Sequence, residues 1–270
     1  MKKCDCTLCK FNNPKPSTAG IIIKDGKLLV AKRVHEPYSG EWDFLGGYVG
    51  EGETPEGAHK REIKEELGVD CDVTLLGSFP GTAQYKDFEH PVLNFAYLTE
   101  LKGEIKLNKK ENSQVEWVPL NKLRTIAFDS NKKILKFIQG KFSYNLDNIK
   151  ELVSQLDPSA VINEQSLYKA ILDGYISKVE KDGEIMGMGW IFPRQTLLRK
   201  QAVVEDMIVN DKYRGQGLGE KILLDLIDWA KKEGVEVIEL TTNPKRIAAN
   251  SLYQKVGFKL HPTNHYLLKL

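Results

Sequence analysis

Residues 47 to 69, GYVGEGETPEGAHKREIKEELGV, constrain this chain more than any other stretch. Glu62, Glu65 and Glu66 stand at i, i+3 and i+4, so a helix carries all three on one face. Carboxylates held that close repel one another, and a cation among them relieves the repulsion. Oxygen ligands with no Cys or His alongside suit Mg²⁺ or Mn²⁺. The helix has its own start and stop, with Thr54 as N-cap, Pro55 as first helical residue and Gly68 as left-handed terminator. Ile63 and Leu67, four apart, make an apolar stripe that docks the helix on a core. A bridge from Arg61 back to Glu53 would fasten the loop ahead of it. The plainer alternative is a solvated acidic face.

The spacing carries more than the glutamates alone. Gly47, five residues, Glu53, seven residues and then Arg61-Glu62-Ile63-Lys64-Glu65-Glu66-Leu67-Gly68-Val69 resemble a complete Nudix box, with every fixed position filled. Trp42-Asp43-Phe44-Leu45-Gly46 resembles the strand and turn that lead into such a box. The resemblance implies an α/β/α sandwich that hydrolyses a nucleoside diphosphate linked to another group. It also implies that Glu62, Glu65 and Glu66 are catalytic through a metal they hold, joined by the Gly47 carbonyl. Glu111, six residues before Trp117, stands where relatives carry a further acidic ligand or base, or else is a surface glutamate.

Composition sets bounds on the rest. A chain of 270 residues exceeds one ordinary domain of about 150, so two are expected. A net charge of +2 gives no argument for nucleic acid or an anionic membrane as partner. No apolar run is long enough to cross a bilayer, and MKKCDCTLCK lacks the apolar segment of a signal peptide, so a cytoplasmic location is expected. Cys4, Cys6 and Cys9 crowd the start. In a reducing compartment they read as Zn²⁺ ligands or as a thiol-rich tail. A fourth ligand, Cys71 or His35, would have to come from the fold. Some Nudix enzymes carry a zinc ribbon here, and the segment resembles a remnant of one.

Along the chain, Ala19 to Ile23 and Leu28 to Lys32 read as a hairpin around Asp25-Gly26. Tyr38 and Trp42 are candidates for stacking on a base or for the core. Asp72 to Phe79 and Pro91 to Leu98 read as strands, with Pro80 to His90 a polar loop placed to choose a substrate. A strand from Gln114 to Val118 and a helix from Asp129 follow, and Gly140 to Asn145 reads as a linker. The expected division is a tail at 1–16, one domain at 17–143 and another at 144–270.

In the second half, two amphipathic helices precede strands at Tyr175 to Glu180, Glu184 to Phe192 and Gln201 to Val209. Arg214-Gly215-Gln216-Gly217-Leu218-Gly219 then opens a helix whose Leu218, Ile222, Leu223, Leu226 and Ala230 keep helical spacing. Inward-turned backbone N–H groups at such a start favour a pyrophosphate. About 30 residues later comes Asn250-Ser251-Leu252-Tyr253-Gln254-Lys255-Val256-Gly257-Phe258. Together the two blocks resemble the GNAT acyltransferases over residues 147 to 270, an α+β fold with a mixed sheet.

That resemblance implies acetyl-CoA as cosubstrate, bound by the end of the strand at Val209, by Arg214 to Gly219 and by Asn250. Tyr253 matches the tyrosine that protonates the departing thiolate, and its alternative is a core role. Glu205 and Asp206 lie on the strand that faces the acetyl group. Strict alternation lets only one of them do so, and Glu205 is preferred as base. Thr241 to Arg246 and Thr263 to Tyr266 resemble a subgroup acting on small amines. The combined expectation is a bifunctional enzyme with a nucleotide substrate and a small amine substrate. Its rival is a Nudix half that senses a nucleotide and regulates the acetyltransferase. Neither substrate's identity nor the oligomeric state follows from the residues.

Overall fold

The computed structural model describes residues 13–85, 88–142 and 144–268. The chain divides into two compact units, Met1–Tyr144 and Asn145–Leu270. Cys4, Cys6 and Cys9, expected as Zn²⁺ ligands or a thiol-rich tail, lie outside the described residues.

In the first unit, β1 (Lys15–Ile21) runs parallel to β6 (Phe88–Lys102), and β5 (Asp70–Tyr85) pairs antiparallel on the other side of β6. A second sheet joins β2 (Ile23–Lys24), β3 (Lys27–Arg33) and β4 (Trp42–Asp43), with β7 (Asn112–Pro119) antiparallel to β3. The β2–β3 turn is the expected Asp-Gly type, with φ of 51° at Asp25 and 67° at Gly26. Helix α1 (Pro55–Leu67) packs on β1 and β5, and α2 (Asp129–Phe142) on β5 and β6. Ile63 and Leu67 bury completely among Ile22, Leu29, Leu45 and Cys71. Cys71 is therefore a core residue.

Two expectations change. Pro80 to His90 is not a loop, because β5 and β6 stay paired from Pro80↔Leu93 to Ala83↔His90 and beyond. The prolines that suggested a break are tolerated: β5 is an edge strand, and Pro91 lies beyond the Lys15↔Val92 pair where β1 begins. Nor does Gly140 start a linker. α2 continues to Phe142, whose ring is buried, so packing overrides the glycine's weak helical preference.

In the second unit, α3 (Leu146–Leu156) and α4 (Glu164–Asp173) precede a sheet in the order β11-β10-β9-β8. Its strands are β8 (Tyr175–Lys181), β9 (Glu184–Gln195), β10 (Lys200–Val209) and β11 (Val237–Leu240). Only β10 and β11 are parallel. They are joined through α5 (Leu218–Lys232), which buries Ile222, Leu223, Leu226 and Ala230 on the sheet. α6 (Ile247–Val256) ends at Gly257 in the left-handed region.

Candidate active sites

The acidic helix starts and stops as its residues dictate. Thr54 Oγ1 accepts the Gly57 N–H at 3.1 Å, and Gly68 closes the helix at φ 70°. Arg61 reaches back to Glu53 through Nε at 2.7 Å and Nη2 at 3.0 Å, and its Nη2 also donates to the Tyr48 carbonyl at 3.2 Å. With Gly50 N–H on Glu53 as well, the bend ahead of the helix is clamped. Arg61 first, then that N–H, hold the Glu53 carboxyl well below its ordinary range.

The three glutamates share a face yet occupy three environments. Glu66 is buried, its Oε2 accepting the Gly46 N–H at 2.8 Å and its Oε1 the Asn112 Nδ2 at 2.7 Å. Burial pushes its pKa up to about 8 despite both donors. Glu62 is half-buried against Gly47, where an added Cβ would stand 2.4 Å from its Oε1. Its carboxyl is raised by burial, with Arg61 opposing at 2.8 Å. Glu65 is exposed, 3.2 Å from Arg61 Nη1. Among the described residues no three carboxylate, imidazole or thiol groups form a preassembled metal cage. The donor chemistry nevertheless fits a hard divalent ion. It is all oxygen, and Glu66 holds a buried carboxylate supported by neutral donors only. Glu111 is exposed and close enough to raise the Glu62 carboxyl.

Sequence reasoning missed Asn112, which is 46 residues from Glu66, and a buried pair behind the Gly47 loop. His59 is wholly buried, with Nε2 2.9 Å from Thr99 Oγ1 and Nδ1 3.3 Å from Thr18 Oγ1. Thr18 N–H in turn donates to the Gly47 carbonyl at 2.8 Å. A histidine on the core side of an amphipathic helix was the available signal. Burial lowers its pKa from 6.5 to about 4. The unfolded chain then takes the proton first, so this contribution to stability is intact above pH 6.5 and is lost as pH falls towards 4. The loss amounts to about 3 kcal/mol over that window. His59→Leu should destabilise α1 at pH 7, by protection factors of its amides, and the gap to wild type should narrow by about 2 kcal/mol at pH 4.5. A gap that stays constant would count against this account.

Asp43, at the end of β4, forms a second buried polar cluster with Arg33 at 2.8 Å and Asn131 at 2.6 Å. Burial raises its pKa to about 6, Arg33 resisting. Tyr38 packs edge-on against Phe128 with centroids 4.9 Å apart.

In the second unit, a 3-10 turn at Asp211–Tyr213 leads to the glycine loop. Gly215 and Gly217 have φ of 77° and 75°, a conformation that side chains other than glycine's resist, and Gly217 is the N-cap of α5. Gln216 lies between them and Leu218 begins the helix. Gly219 is glycine for a different reason: a Cβ there would stand 3.3 Å from a Leu252 methyl on α6. Arg214 is tied to Asp211 and donates through Nε to the Val209 carbonyl at 3.3 Å. Asn250 spends its amide donors on the carbonyls of Asn243 at 3.1 Å and Arg246 at 2.9 Å, which holds the turn ahead of α6.

β10 and β11 pair only from Gln201↔Val237 to Val204↔Leu240. Beyond Val204, no described residue pairs with β10 on that side, and its register with β9 slips between Glu205 and Ile208. Asp206 sits in this bulge at φ 50°. The alternation argument that separated Glu205 from Asp206 therefore fails here, because a bulge re-aims side chains. Burial raises both carboxyls; for Glu205, Asp206 adds to the rise and His265 opposes it. Tyr253 is half-buried, its phenol raised by burial and its ring 6.1 Å from that of Phe258.

Comparison with known proteins follows the same division. The NUDIX domain profile matches residues 14–138, and the acetyltransferase (GNAT) family profile matches residues 146–258. An ADP-ribose pyrophosphatase of Methanocaldococcus jannaschii is 35% identical over 133 residues, covering 48% of this chain and 77% of that protein. An uncharacterised N-acetyltransferase of Bacillus subtilis is 30% identical over 125 residues, 44% of this chain and 72% of its own. Another from the same bacterium is 35% identical over 66 residues, 24% of this chain and only 27% of the relative's length. The chain thus belongs to two families, the Nudix hydrolases through its first unit and the GNAT N-acetyltransferases through its second.

Proposed function

We propose that the first unit hydrolyses a nucleoside diphosphate linked to another moiety, dependent on a divalent metal, and that the second transfers acetyl from acetyl-CoA to a small amine. The observation that carries the first half is Glu66, a carboxylate buried at 8% exposure with neutral donors only. A charge so placed is costly without a cation. Glu62, Glu65, Glu66 and the Gly47 carbonyl would hold Mg²⁺ or Mn²⁺. Such an ion, when bound, supplies charge neutralisation and polarisation at a phosphoryl group. Arg61 keeps the carboxylates and the Glu53 bend in place, and the His59–Thr18 pair supports the Gly47 peptide. The intact acidic set speaks against a Nudix half that only senses nucleotides. The M. jannaschii relative is a pyrophosphatase of ADP-ribose, which makes ADP-ribose one of the first substrates to assay.

In the second unit, the N–H groups of Arg214 to Gly219 and the N-terminus of α5 would bind the CoA pyrophosphate, with Val209 and Asn250 flanking the arm. The opening between β10 and β11 leaves backbone groups for that arm to pair with. The amine nitrogen attacks the thioester carbonyl, a C–N bond forms and the C–S bond breaks. Glu205, or Asp206 in the bulge, accepts the amine proton directly or through water, and Tyr253 gives its proton to the leaving thiolate. Hydrolysis is tested with ADP-ribose and nucleoside triphosphates, by phosphate released after phosphatase treatment; no Mg²⁺-dependent turnover, or full turnover in EDTA, would refute it. For transfer, Tyr253→Phe should keep acetyl-CoA affinity and lower the rate on a responsive amine about a hundredfold. An unchanged rate would remove Tyr253 from the chemistry.

A further inference from the structure

The buried imidazole of His59 is held in one orientation. An added Cβ at Gly20 of β1 would stand 2.9 Å from its Cε1, and the Tyr97 ring stacks on it with centroids 5.1 Å apart and 13° between the planes. With the ring fixed, the protons along its hydrogen-bonded chain follow one from another. Thr99 has a single hydroxyl proton and gives it to the Tyr97 carbonyl at 3.1 Å. Towards His59 Nε2, at 2.9 Å, the Thr99 oxygen can then only accept, so Nε2 carries the imidazole proton. Burial keeps the ring neutral at pH 7, which leaves Nδ1 bare. The Thr18 hydroxyl faces two acceptors, this Nδ1 at 3.3 Å and the Gly47 carbonyl at 3.4 Å, and has one proton to give. The carbonyl already accepts the Thr18 N–H at 2.8 Å, whereas among the described residues Nδ1 has no other donor. A buried acceptor left unsatisfied costs about 1–3 kcal/mol, so the hydroxyl proton goes to Nδ1. The Thr18 oxygen is then turned with its lone pairs towards the Gly47 N–H, 3.5 Å away.

We infer that His59 is a positioning residue for the metal site: by drawing the Thr18 hydroxyl proton onto Nδ1, it leaves the Gly47 carbonyl with one donor and one lone pair open to a divalent cation. Bracing the peptide needs only the Thr18 N–H; the imidazole adds a direction to the chain of protons. Without an acceptor at position 59, the Thr18 hydroxyl turns to the carbonyl, and its proton occupies the lone pair that the cation would use. Partners one step removed from a metal ligand commonly change metal affinity by about 10–100-fold. The inference rests on the hydrolase reading, in which the Gly47 carbonyl is a metal ligand, and adds a residue that tunes it from the core.

Two measurements on the full chain test it. Long-range proton–nitrogen NMR of the metal-free wild type at pH 7 should find the His59 proton on Nε2; a proton on Nδ1 overturns the inference, and no variant is needed to see it. Mn²⁺ affinity is then read by electron paramagnetic resonance, with folding checked by circular dichroism. His59→Leu should weaken Mn²⁺ about tenfold, and adding Thr18→Val to it should bring affinity back to within about threefold of wild type, because the competing hydroxyl is gone. His59→Asn, whose Oδ1 can accept from Thr18, should also stay within about threefold. A merely structural role predicts the opposite for the double variant, which would lose a second core contact and bind no better than His59→Leu. That result, an unchanged affinity in His59→Leu, or no Mn²⁺ binding by wild type overturns the inference. The full pattern in a protein without turnover would uphold it and refute the hydrolase reading, whereas Mg²⁺-dependent turnover beside unchanged affinities would do the reverse.

Discussion

Glu62→Gln is expected to lower Mg²⁺-dependent hydrolysis by about a thousandfold, equivalent to about 4 kcal/mol, while the protein stays folded. Glu62 is the cleanest of the three positions. Its carboxylate pairs with Arg61, a contact that an amide oxygen can keep, and packs on Gly47. Glu66 is less suitable, since its two oxygens each accept from a donor, Gly46 N–H and Asn112 Nδ2. An amide there turns its NH₂ towards one of them and costs about 1–3 kcal/mol of stability. Glu65, exposed beside Arg61, should lose less than Glu62 on substitution by glutamine. The rates are to be measured at saturating substrate with Mg²⁺ titrated across the range. A Glu62→Gln protein within tenfold of wild type at every Mg²⁺ concentration would remove Glu62 from the metal site.

Gly217→Val should weaken acetyl-CoA by about a hundredfold and leave hydrolysis by the first unit unchanged. Space is not the obstacle in the free protein, as nothing lies within 4 Å of a Cβ placed on Gly217. The obstacle is conformation. At φ 75° a β-branched residue resists the left-handed region by about 1–2 kcal/mol or more, and relaxing to another φ turns the N-cap amides away from the bound pyrophosphate. Calorimetry with acetyl-CoA reads the effect, and the hydrolase rate of the same sample reports that the rest of the chain is intact. Full affinity in Gly217→Val would reduce the loop to a turn. Gly219→Ala is the informative control, since that residue has ordinary φ and meets Leu252 of α6, so its cost falls on packing.

What could be read in the residues alone was whatever is decided within a turn or two of chain. The Thr54 cap, the Gly68 stop, the Arg61–Glu53 clamp, the Asp25-Gly26 turn and the buried stripe of α5 are all local, because capping, left-handed φ and helical periodicity act over a few residues. The two family signatures are equally short-ranged, which is why both units were recognisable.

Tertiary structure decided the rest, and in each case the deciding partner lies far away in sequence. Prolines at 80 and 91 suggested a loop until an edge position and the end of β1 allowed both into a paired hairpin. Alternation along β10 placed Glu205 and Asp206 on opposite faces until the register slip cancelled it. Asn112 reaches Glu66, and His59 lies between Thr18 and Thr99. Sequence by itself determined the families, the acidic helix and the glycine loop, because their information is local. Only the folded sheets decided which carboxylate is buried and which peptide is braced, since burial and long-range pairing exist only once distant strands are brought together.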